Sequence, residues 1–308
     1  MCISKEYGKN PVTVDHALYD AGLGFTAVKK GVADPDTREV IPGMYRIVRA
    51  DTGATVGKNK GDRYNVIQHR ENLATVLEGL YGDNIGDKLI VNRILNLYNG
   101  RLAVAQIDLA ESEIVKGDIV AGRFSIFSDH GDGGYGGKQC NTREVCINTY
   151  NLAKREAIAL GKFICHRHTG DVIAKARQTA DLLGLAIVQH NAWIEQAQHL
   201  ASKSFNTELH RRFFEQLFQL PSNKDDYSGQ QRNALEKLLE LSETGRGTDI
   251  PGVRGTAWGA VNSATEYDQH IRSRRGADKD DNRSHAVLFG DSAELSVRAM
   301  ELATQLVS

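Results

Sequence analysis

The feature that most constrains the fold is an Asn-Gly pair, Asn99-Gly100, that stands between two apolar runs. A hairpin turn of type I′ needs positive φ at both central residues, and Asn and Gly accept this conformation most readily. The flanking runs, Leu89–Tyr98 and Arg101–Leu109, therefore predict two antiparallel strands. Because parallel strands need a long crossover connection, this hairpin argues against a dinucleotide-binding fold.

Further strand and helix signals surround this hairpin. Asp51-Thr52-Gly53 is typical of a turn, because Asp bonds to its own backbone and Gly accepts positive φ. The apolar residues between Leu73 and Leu80 recur at helical spacing. The predicted elements are strands at Tyr45–Ala50 and Ala54–Lys58, a helix at Arg70–Tyr81, strands at Leu89–Tyr98, Arg101–Leu109 and Ile119–Ser128, and a helix at Asn141–Leu160. We therefore predict an α+β fold, with an antiparallel sheet in a β-β-α-β-β-β-α core and a mostly helical C-terminal half.

The same signals suggest three regions along the chain. Residues 1–42 have weak periodicity and several Gly and Pro residues, so we predict an N-terminal arm there, either without a role or docking on a neighbouring subunit. Residues 43–169 form the predicted α+β core module, and residues 170–308 the helical C-terminal region. Asp171 is the expected N-cap of the first helix of that region. The charged stretch Gly276–Ser284 is predicted to be mobile.

Composition limits the partners and the compartment. The net charge of −1 gives no global attraction to nucleic acid, so a nucleic-acid site must be a local patch. Four unevenly spaced cysteines favour reduced thiols over a disulfide framework. An apolar secretory segment and a membrane-length apolar run are both lacking, so we expect a cytoplasmic protein without membrane partners.

A glycine-rich loop is predicted at Asp129–Gly137, before the last core helix. Such a loop can hold phosphate with backbone N–H groups, but the nucleotide-binding version needs Lys-Ser or Lys-Thr, and here Lys138 precedes Gln139. Two interpretations stay open, a hairpin tip and a flap over a nucleic-acid backbone.

Cysteines and histidines are too irregularly spaced for a structural zinc site. We predict instead that Phe163–His168 is a short strand with Cys165 buried, and we expect no metal and no cofactor. A metal-dependent hydrolase is a third functional class, and its candidate ligands would be Asp129, His130, Asp132, His166 and His168.

No convincing catalytic constellation is present, so we expect a binding and assembly protein rather than an enzyme. The predicted helix at Asn141–Leu160 is rich in Arg, Thr and Asn, which position a phosphate backbone without reading its sequence. The alternative for this helix is an ordinary solvated face without a ligand. The alternative for Arg123 is an ordinary exposed strand residue. The candidate DNA contacts are Arg63, Tyr64, Arg123, Arg143, Asn148, Tyr150, Lys154 and Arg155.

Several short motifs carry a family resemblance. In chain order they are Gly61–Tyr64 (GDRY), Arg143–Thr149 (REVCINT), Arg167–Gly170 (RHTG), Gly255–Gly259 (GTAWG) and Thr265–Tyr267 (TEY). From about residue 44 to the C-terminus the chain resembles the phage/plasmid-like proteins of a large family with a domain of unknown function. It departs from that family in the longer, more glycine-rich loop at Asp129–Gly137. The resemblance implies mobile genetic elements, and therefore the cytoplasm of a bacterial host cell, but no settled activity.

A second resemblance concerns element order. A β-β-α-β-β-β-α module followed by helices is similar to the phage single-strand annealing proteins of the RecT, Red-beta and Erf groups, which form rings or filaments and hold DNA in a groove. That likeness implies a phage or prophage protein that binds single-stranded DNA and promotes ATP-independent annealing in homologous recombination. The implied partners are single-stranded DNA, further copies of the chain and a host single-strand-binding protein. The alternative is a phage interaction protein that blocks or recruits a host factor without binding nucleic acid, which the near-neutral charge favours.

Overall fold

The computed structural model describes residues 3–7, 10, 12–81, 90–131, 133–151, 163–181 and 186–308. The chain forms two compact units. Unit 1 comprises residues 1–108, 124–139 and 157–186, and unit 2 comprises residues 109–123, 140–156 and 187–308.

Strands dominate the first half of the chain. They are β1 (Ile3–Glu6), β2 (Val12–Thr13), β3 (Ala27–Ala33), β4 (Val40–Arg49), β5 (Thr55–Lys60), β6 (Ile90–Val91), β7 (Arg93–Leu97), β8 (Leu102–Glu113), β9 (Ile119–Asp129), β10 (Tyr135–Arg143), β11 (Asn148–Tyr150) and β12 (Phe163–His166). Within the described ranges, the helices α1 (Val14–Asp20) and α2 (His69–Tyr81) interrupt them.

Helices follow from residue 172. They are α3 (Val172–Asp181), α4 (Ala186–Ala201), α5 (Thr207–Leu217), α6 (Gly229–Thr244), α7 (Ala257–Glu266), α8 (Lys279–Phe289) and α9 (Asp291–Val307), with a 3₁₀ turn at Lys224–Asp226 and a π-helical turn at Tyr267–Ile271. The prediction of a mixed α+β fold with a mostly helical C-terminal half is confirmed. Among the described residues, no helix combines the length and the apolar character needed to cross a bilayer.

The main sheet has the strand order β1-β7-β8-β9-β10-β11, and β12 also pairs with β10. β7 and β8 are antiparallel, with Leu97 opposite Leu102, so the Asn-Gly hairpin is confirmed. Its loop has four residues, and φ is positive at Tyr98 (54°), Asn99 (55°) and Gly100 (89°). Two smaller antiparallel sheets pair β2 with β6 and align β3, β4 and β5.

The helix at α2 forms as its apolar spacing predicts, because Leu73, Val76 and Leu77 are all fully buried. The predicted cap of α3 is also confirmed, since Asp171 Oδ1 accepts hydrogen bonds from the amides of Ile173 and Ala174.

The residues of the predicted N-terminal arm supply regular elements of unit 1. Ser4 in β1 pairs opposite Leu95 in β7, and α1 buries Val14, Ala17 and Leu18. These apolar side chains hold the segment in place by burial. The domain boundaries that we predicted at residues 42 and 169 stay a prediction.

The predicted helix at Asn141–Leu160 is wrong over its described part. Residues to Arg143 continue β10, and Thr142 pairs with Thr149 of β11 across a tight turn. Ile147 in that turn has a φ of 57°, which a continuing helix does not allow. Cross-strand pairing outweighed the local polar pattern, which carries little strand propensity of its own. Residues 152–162 lie outside the described part of the chain.

The predicted glycine loop is shorter than Asp129–Gly137, because Gly136 and Gly137 lie within β10. Both positions are glycine because neighbouring atoms pack too closely for a side chain. A Cβ at position 136 would lie 2.0 Å from the carbonyl oxygen of Ile164, and one at position 137 would lie 2.2 Å from the Phe124 ring.

Two smaller predictions are also wrong. Residues 279–284, which belong to the stretch predicted to be mobile, form the first turns of α8. The later part of this helix buries Ala286 and Leu288. The strand predicted at Phe163–His168 does form, as β12 over Phe163–His166, but its Cys165 is exposed and not buried as predicted.

Candidate nucleic-acid interface

The three-stranded sheet of unit 1 is strongly basic. Strands β3, β4 and β5 contain no acidic residue, and each carries two basic ones: Lys29, Lys30, Arg46, Arg49, Lys58 and Lys60. In a chain whose net charge is −1, this sheet is a local concentration of positive charge.

One face of this sheet presents an exposed cross-strand row. Lys30 pairs opposite Arg46, and Arg46 pairs opposite Asn59, so the three side chains lie side by side on one face. All three residues are exposed. Arg46 Nε donates to Asn59 Oδ1 at 3.1 Å, which fixes the direction of the guanidinium. The row borders a shallow depression that Thr55 and Lys58 also line.

The opposite face holds the segment that follows β5. Lys29 Nζ donates to the backbone carbonyls of Asp62 (3.0 Å) and Tyr64 (3.1 Å), and it lies 4.2 Å from the centre of the Tyr45 ring. A hydrogen bond to Asp62 raises the pKa of Tyr45. These contacts place the exposed Arg63 beside β3, so a further cation joins the basic sheet.

Three buried histidines from separate elements meet in unit 1. They are His69 at the start of α2, His130 after β9 and His168 after β12. The ring centres of His69 and His130 lie 4.8 Å apart, and those of His130 and His168 lie 5.8 Å apart. The Tyr64 ring stacks on His168 at 4.7 Å, and its hydroxyl lies 3.0 Å from Nδ1 of His130. We call these four residues the His–Tyr cluster.

Backbone carbonyls set the orientation of two of these rings. His69 Nε2 lies 2.9 Å from the carbonyl oxygen of Gly100, and His168 Nε2 lies 3.1 Å from that of Asp129. In the neutral imidazole the Nε2–H therefore donates to the carbonyl, and Nδ1 carries the lone pair. In the described part of the chain, Nδ1 of both rings and Nε2 of His130 are buried without a hydrogen-bond partner.

Burial keeps this cluster uncharged at neutral pH. It lowers the pKa of His69 and of His168 to about 4, partly opposed by the hydrogen bonds to the carbonyls. The pKa of His130 lies well below its usual value, because of burial and then because of the neighbouring His69 and His168. Burial, and then the charge of Asp129, raises the pKa of Tyr64, so its phenol stays protonated at neutral pH.

The cluster is a buried group of rings that touch one another and are linked by hydrogen bonds to each other and to backbone carbonyls. Over the described ranges, no group of three or more His, Cys, Asp or Glu side chains is arranged to hold a metal ion. Asp132, one of the candidate ligands for a hydrolase, lies outside those ranges.

Arg143, predicted as a DNA contact, is a buried structural residue of unit 2. Its side chain is 0% exposed, and its Nε donates to Asp118 Oδ1 at 2.5 Å. The rest of the guanidinium donates to the carbonyls of Arg246 (3.0 Å) and Gly247 (3.3 Å). The other oxygen of Asp118 accepts from Nε1 of Trp258 at 2.8 Å. With these partners the guanidinium does not reach a phosphate in this conformation.

Asn148 and Tyr150 are likewise buried in unit 2. Asn148 donates to the carbonyl of Asn262 (3.2 Å) and to the Thr265 hydroxyl (3.1 Å), and the Tyr150 hydroxyl donates to Asn262 Oδ1 at 2.6 Å. Both side chains hold β11 against α7. Arg123, in β9, is also buried, with 5% of its surface exposed.

Of the eight predicted contacts, Arg63 is exposed beside the basic sheet, whereas the ring of its neighbour Tyr64 packs into the His–Tyr cluster. Lys154 and Arg155 lie outside the described residues. Sequence reasoning missed Lys30, Arg46 and Lys58. The signal that would have found them is the absence of acidic residues from three successive strands.

The family motifs pair with one another inside each unit. In unit 1 the residue after GDRY, Asn65, donates its backbone amide to the carbonyl of His168 in RHTG at 2.7 Å. In unit 2 Arg143 of REVCINT and Trp258 of GTAWG share Asp118, while Asn148 binds Thr265 of TEY. The motifs therefore mark the contacts that hold each unit together.

A family model described as a domain of unknown function, DUF932, matches residues 58–288. Neither a curated protein nor a solved structure matches the chain.

Proposed function

This chain belongs to the DUF932 family, and we propose that it binds single-stranded DNA through the basic sheet β3–β5. The observation that carries the proposal is the row formed by Lys30, Arg46 and Asn59 on strands without acidic residues. Lys and Arg side chains in such a row neutralise phosphates and release counterions, which supplies most of the affinity of sequence-independent binding. The amide of Asn59 adds a hydrogen-bond donor of the kind that positions a phosphate backbone.

The proposal moves the interface away from the helix expected at Asn141–Leu160. Arg143 forms a buried ion pair, whereas Lys30 and Arg46 are exposed. Arg49, in contrast, is bound to Asp51 at 2.8 Å and is not needed for the interface.

Strand annealing without ATP is the second part of the proposal. Its support is the resemblance in element order to the phage annealing proteins. Of that order, the described residues keep β4, β5, α2, β7, β8 and β9, but β4 and β5 lie in a separate sheet, and β10 and β11 occupy residues where the final helix was expected. Copies of the chain side by side in a ring or filament would extend the basic row, and a host single-strand-binding protein would present the DNA.

The test is binding of a fluorescent poly-dT oligonucleotide, followed by anisotropy over a range of salt concentrations. Each lost phosphate contact on a single strand lowers the slope of log affinity against log salt by about 0.7, so Lys30→Ala/Arg46→Ala should lower it by about 1.4. The control is Arg70→Ala/Lys116→Ala, which removes the same formal charge from exposed positions outside the sheet.

Equal slopes for the two double variants would place the interface elsewhere. No binding by the unaltered protein at low salt would reject the DNA proposal in favour of a phage interaction protein that acts on a host factor. If binding holds, mixing two complementary labelled oligonucleotides without ATP tests annealing. Negative-stain imaging with and without the oligonucleotide tests the ring or filament.

A further inference from the structure

A cleft of ≈ 990 Å³ lies within unit 2, between the end of α5, the first half of α6 and the π-helical turn. The lining is mixed, and we call its apolar residues the floor of the cleft: Phe218, Leu220, Ala234, Tyr267 and Ile271. The rings of Phe218 and Tyr267 pack edge to face, with centres 5.7 Å apart, so the floor is firmly held. Ile271 is 41% exposed, which is unusual for so large an aliphatic side chain.

The π-helical turn has a role in shaping this cleft. The helix α7 continues from Glu266 as a π-turn over Tyr267–Ile271, and such turns occur frequently at functional sites. Within the turn Asp268 is buried and points away from solvent, while Tyr267 and Ile271 line the cleft.

The rim of the cleft carries cations. Arg272, Arg275 and Lys237 all line it. Arg272 is held in place by Asp268, with its Nη1 2.9 Å from the carboxylate, yet its side chain remains 47% exposed. Lys237 is 37% exposed and contacts Glu240 at 2.7 Å. The rim therefore presents positive charge that is already oriented.

Arg274 is a support rather than a rim residue. Its side chain is 10% exposed and bridges the carboxylates of Asp268 (3.1 Å) and Asp291 (2.9 Å). Among the described residues that line this cleft, Asp291 is the one acidic residue, and it is thus already paired.

We propose that this cleft binds a short acidic peptide segment that carries an apolar anchor residue. The anchor would occupy the floor beside Ile271, and the acidic residues would pair with Arg272, Arg275 and Lys237. Gln230 and Asn233, which also line the cleft, would bond to the peptide backbone. Such a segment matches both halves of the cleft, the apolar floor and the basic rim.

Charge favours a peptide over a nucleic acid. Four basic residues line the cleft, namely Lys237, Arg272, Arg274 and Arg275, but Asp268, Asp291 and Glu240 lie against three of them. The net positive charge of the cleft is therefore small. A small positive charge beside apolar side chains suits a peptide with a few carboxylates better than a run of phosphates.

The test uses the full chain and a fluorescent synthetic peptide in which leucine and phenylalanine follow a run of aspartates. Arg272→Glu/Arg275→Glu should weaken peptide binding roughly tenfold or more. The double change removes two ion pairs with the peptide and puts negative charges in their place, and a loss of about 1.4 kcal/mol is a tenfold loss of affinity. The matched control is Lys116→Glu/Arg254→Glu, which reverses two exposed charges elsewhere in unit 2.

Ile271→Ser supplies a second variant that leaves the ion pairs of Asp268 intact, and it should also weaken binding roughly tenfold. A peptide with lysines in place of the aspartates should not bind. Absence of peptide binding up to about 1 mM overturns the proposal, as does binding that the cleft variants leave unchanged. Loss of poly-dT binding in the cleft variants, with no peptide binding, would assign the cleft to nucleic acid instead.

Discussion

The Arg143 guanidinium and the Asp118 carboxylate form an ion pair of 2.5 Å in which both side chains are 0% exposed. The pair joins the loop before β9 to the end of β10, and its remaining hydrogen bonds go to Trp258 and to the backbone carbonyls of Arg246 and Gly247. A buried pair with all its partners in place is tolerated, whereas a single buried charge is not.

We expect Arg143→Ala to lower the free energy of unfolding by about 3–5 kcal/mol, because it leaves the Asp118 carboxylate buried without its cation. Urea denaturation measures the change. The control is Arg70→Ala, whose partner Asp15 is exposed, and it should cost under about 1 kcal/mol. Where Arg143→Ala remains folded, the salt dependence of DNA binding should match that of the unaltered protein.

Tyr150→Phe should destabilise unit 2 by about 1–3 kcal/mol, because the buried oxygen of Asn262 loses the donor that lies 2.6 Å away. The ring itself stays packed, so the change isolates the hydroxyl. Thermal unfolding compares it with Tyr19→Phe, whose ring is 83% exposed and whose change should be within about 0.5 kcal/mol. Equal effects of the two variants would contradict the buried network around Asn148.

Gly79→Ala tests the close approach of α2 to α3. A Cβ at position 79 would lie 2.3 Å from the Cβ of Ala180, and we expect a net loss of about 1–2 kcal/mol in unfolding free energy. Helix propensity alone predicts the opposite, a gain of about 0.5–1 kcal/mol. The sign of the change therefore decides whether the helices touch here.

A control for Gly79→Ala is available in α6. Gly229 stands at the first residue of that helix, and a Cβ there would have no atom within 4 Å. Gly229→Ala should be neutral or slightly stabilising, within about 0.5 kcal/mol.

The His–Tyr cluster predicts that stability depends on pH. An unfolded histidine takes up a proton near its ordinary pKa of 6.5, whereas His69 and His168 in the folded protein do so only near pH 4. Between these values the unfolded chain binds more protons, so stability falls as the pH is lowered from 6.5 to 4. The slope contributed by each histidine is at most about 1.4 kcal/mol per pH unit.

Urea denaturation at a series of pH values measures this slope. Replacing His168 with Gln should make it shallower, and the double variant His69→Gln/His168→Gln shallower still, because each removes a group that titrates on unfolding. Slopes that do not change would mean that other groups cause the pH dependence.

Local chemistry was sufficient for much of the fold. The Asn99-Gly100 pair determined an antiparallel hairpin, since few residues accept positive φ in its turn. The apolar face of α2 and the cap at Asp171 follow from spacing within a few residues, as do the helices after residue 170. Each of these signals depends on neighbours in the sequence, and the tertiary structure of this protein left each of them in place.

The tertiary structure decided the rest. Arg143, Asn148 and Tyr150 have the composition of a polar helix face, but the hairpin of β10 and β11 made them strand residues. Distant contacts, with residues 246 and 247 for Arg143 and with α7 for the other two, then buried them. The sequence pattern predicted a loop at Gly136 and Gly137. The structure shows that both positions are glycine because neighbouring strands leave no room for a side chain. Sequence alone does not reveal burial by residues more than a hundred positions away, and burial determines whether an arginine meets a carboxylate or a phosphate. The exposed row of Lys30 and Arg46 was similarly hidden until strand register placed the two side chains on one face.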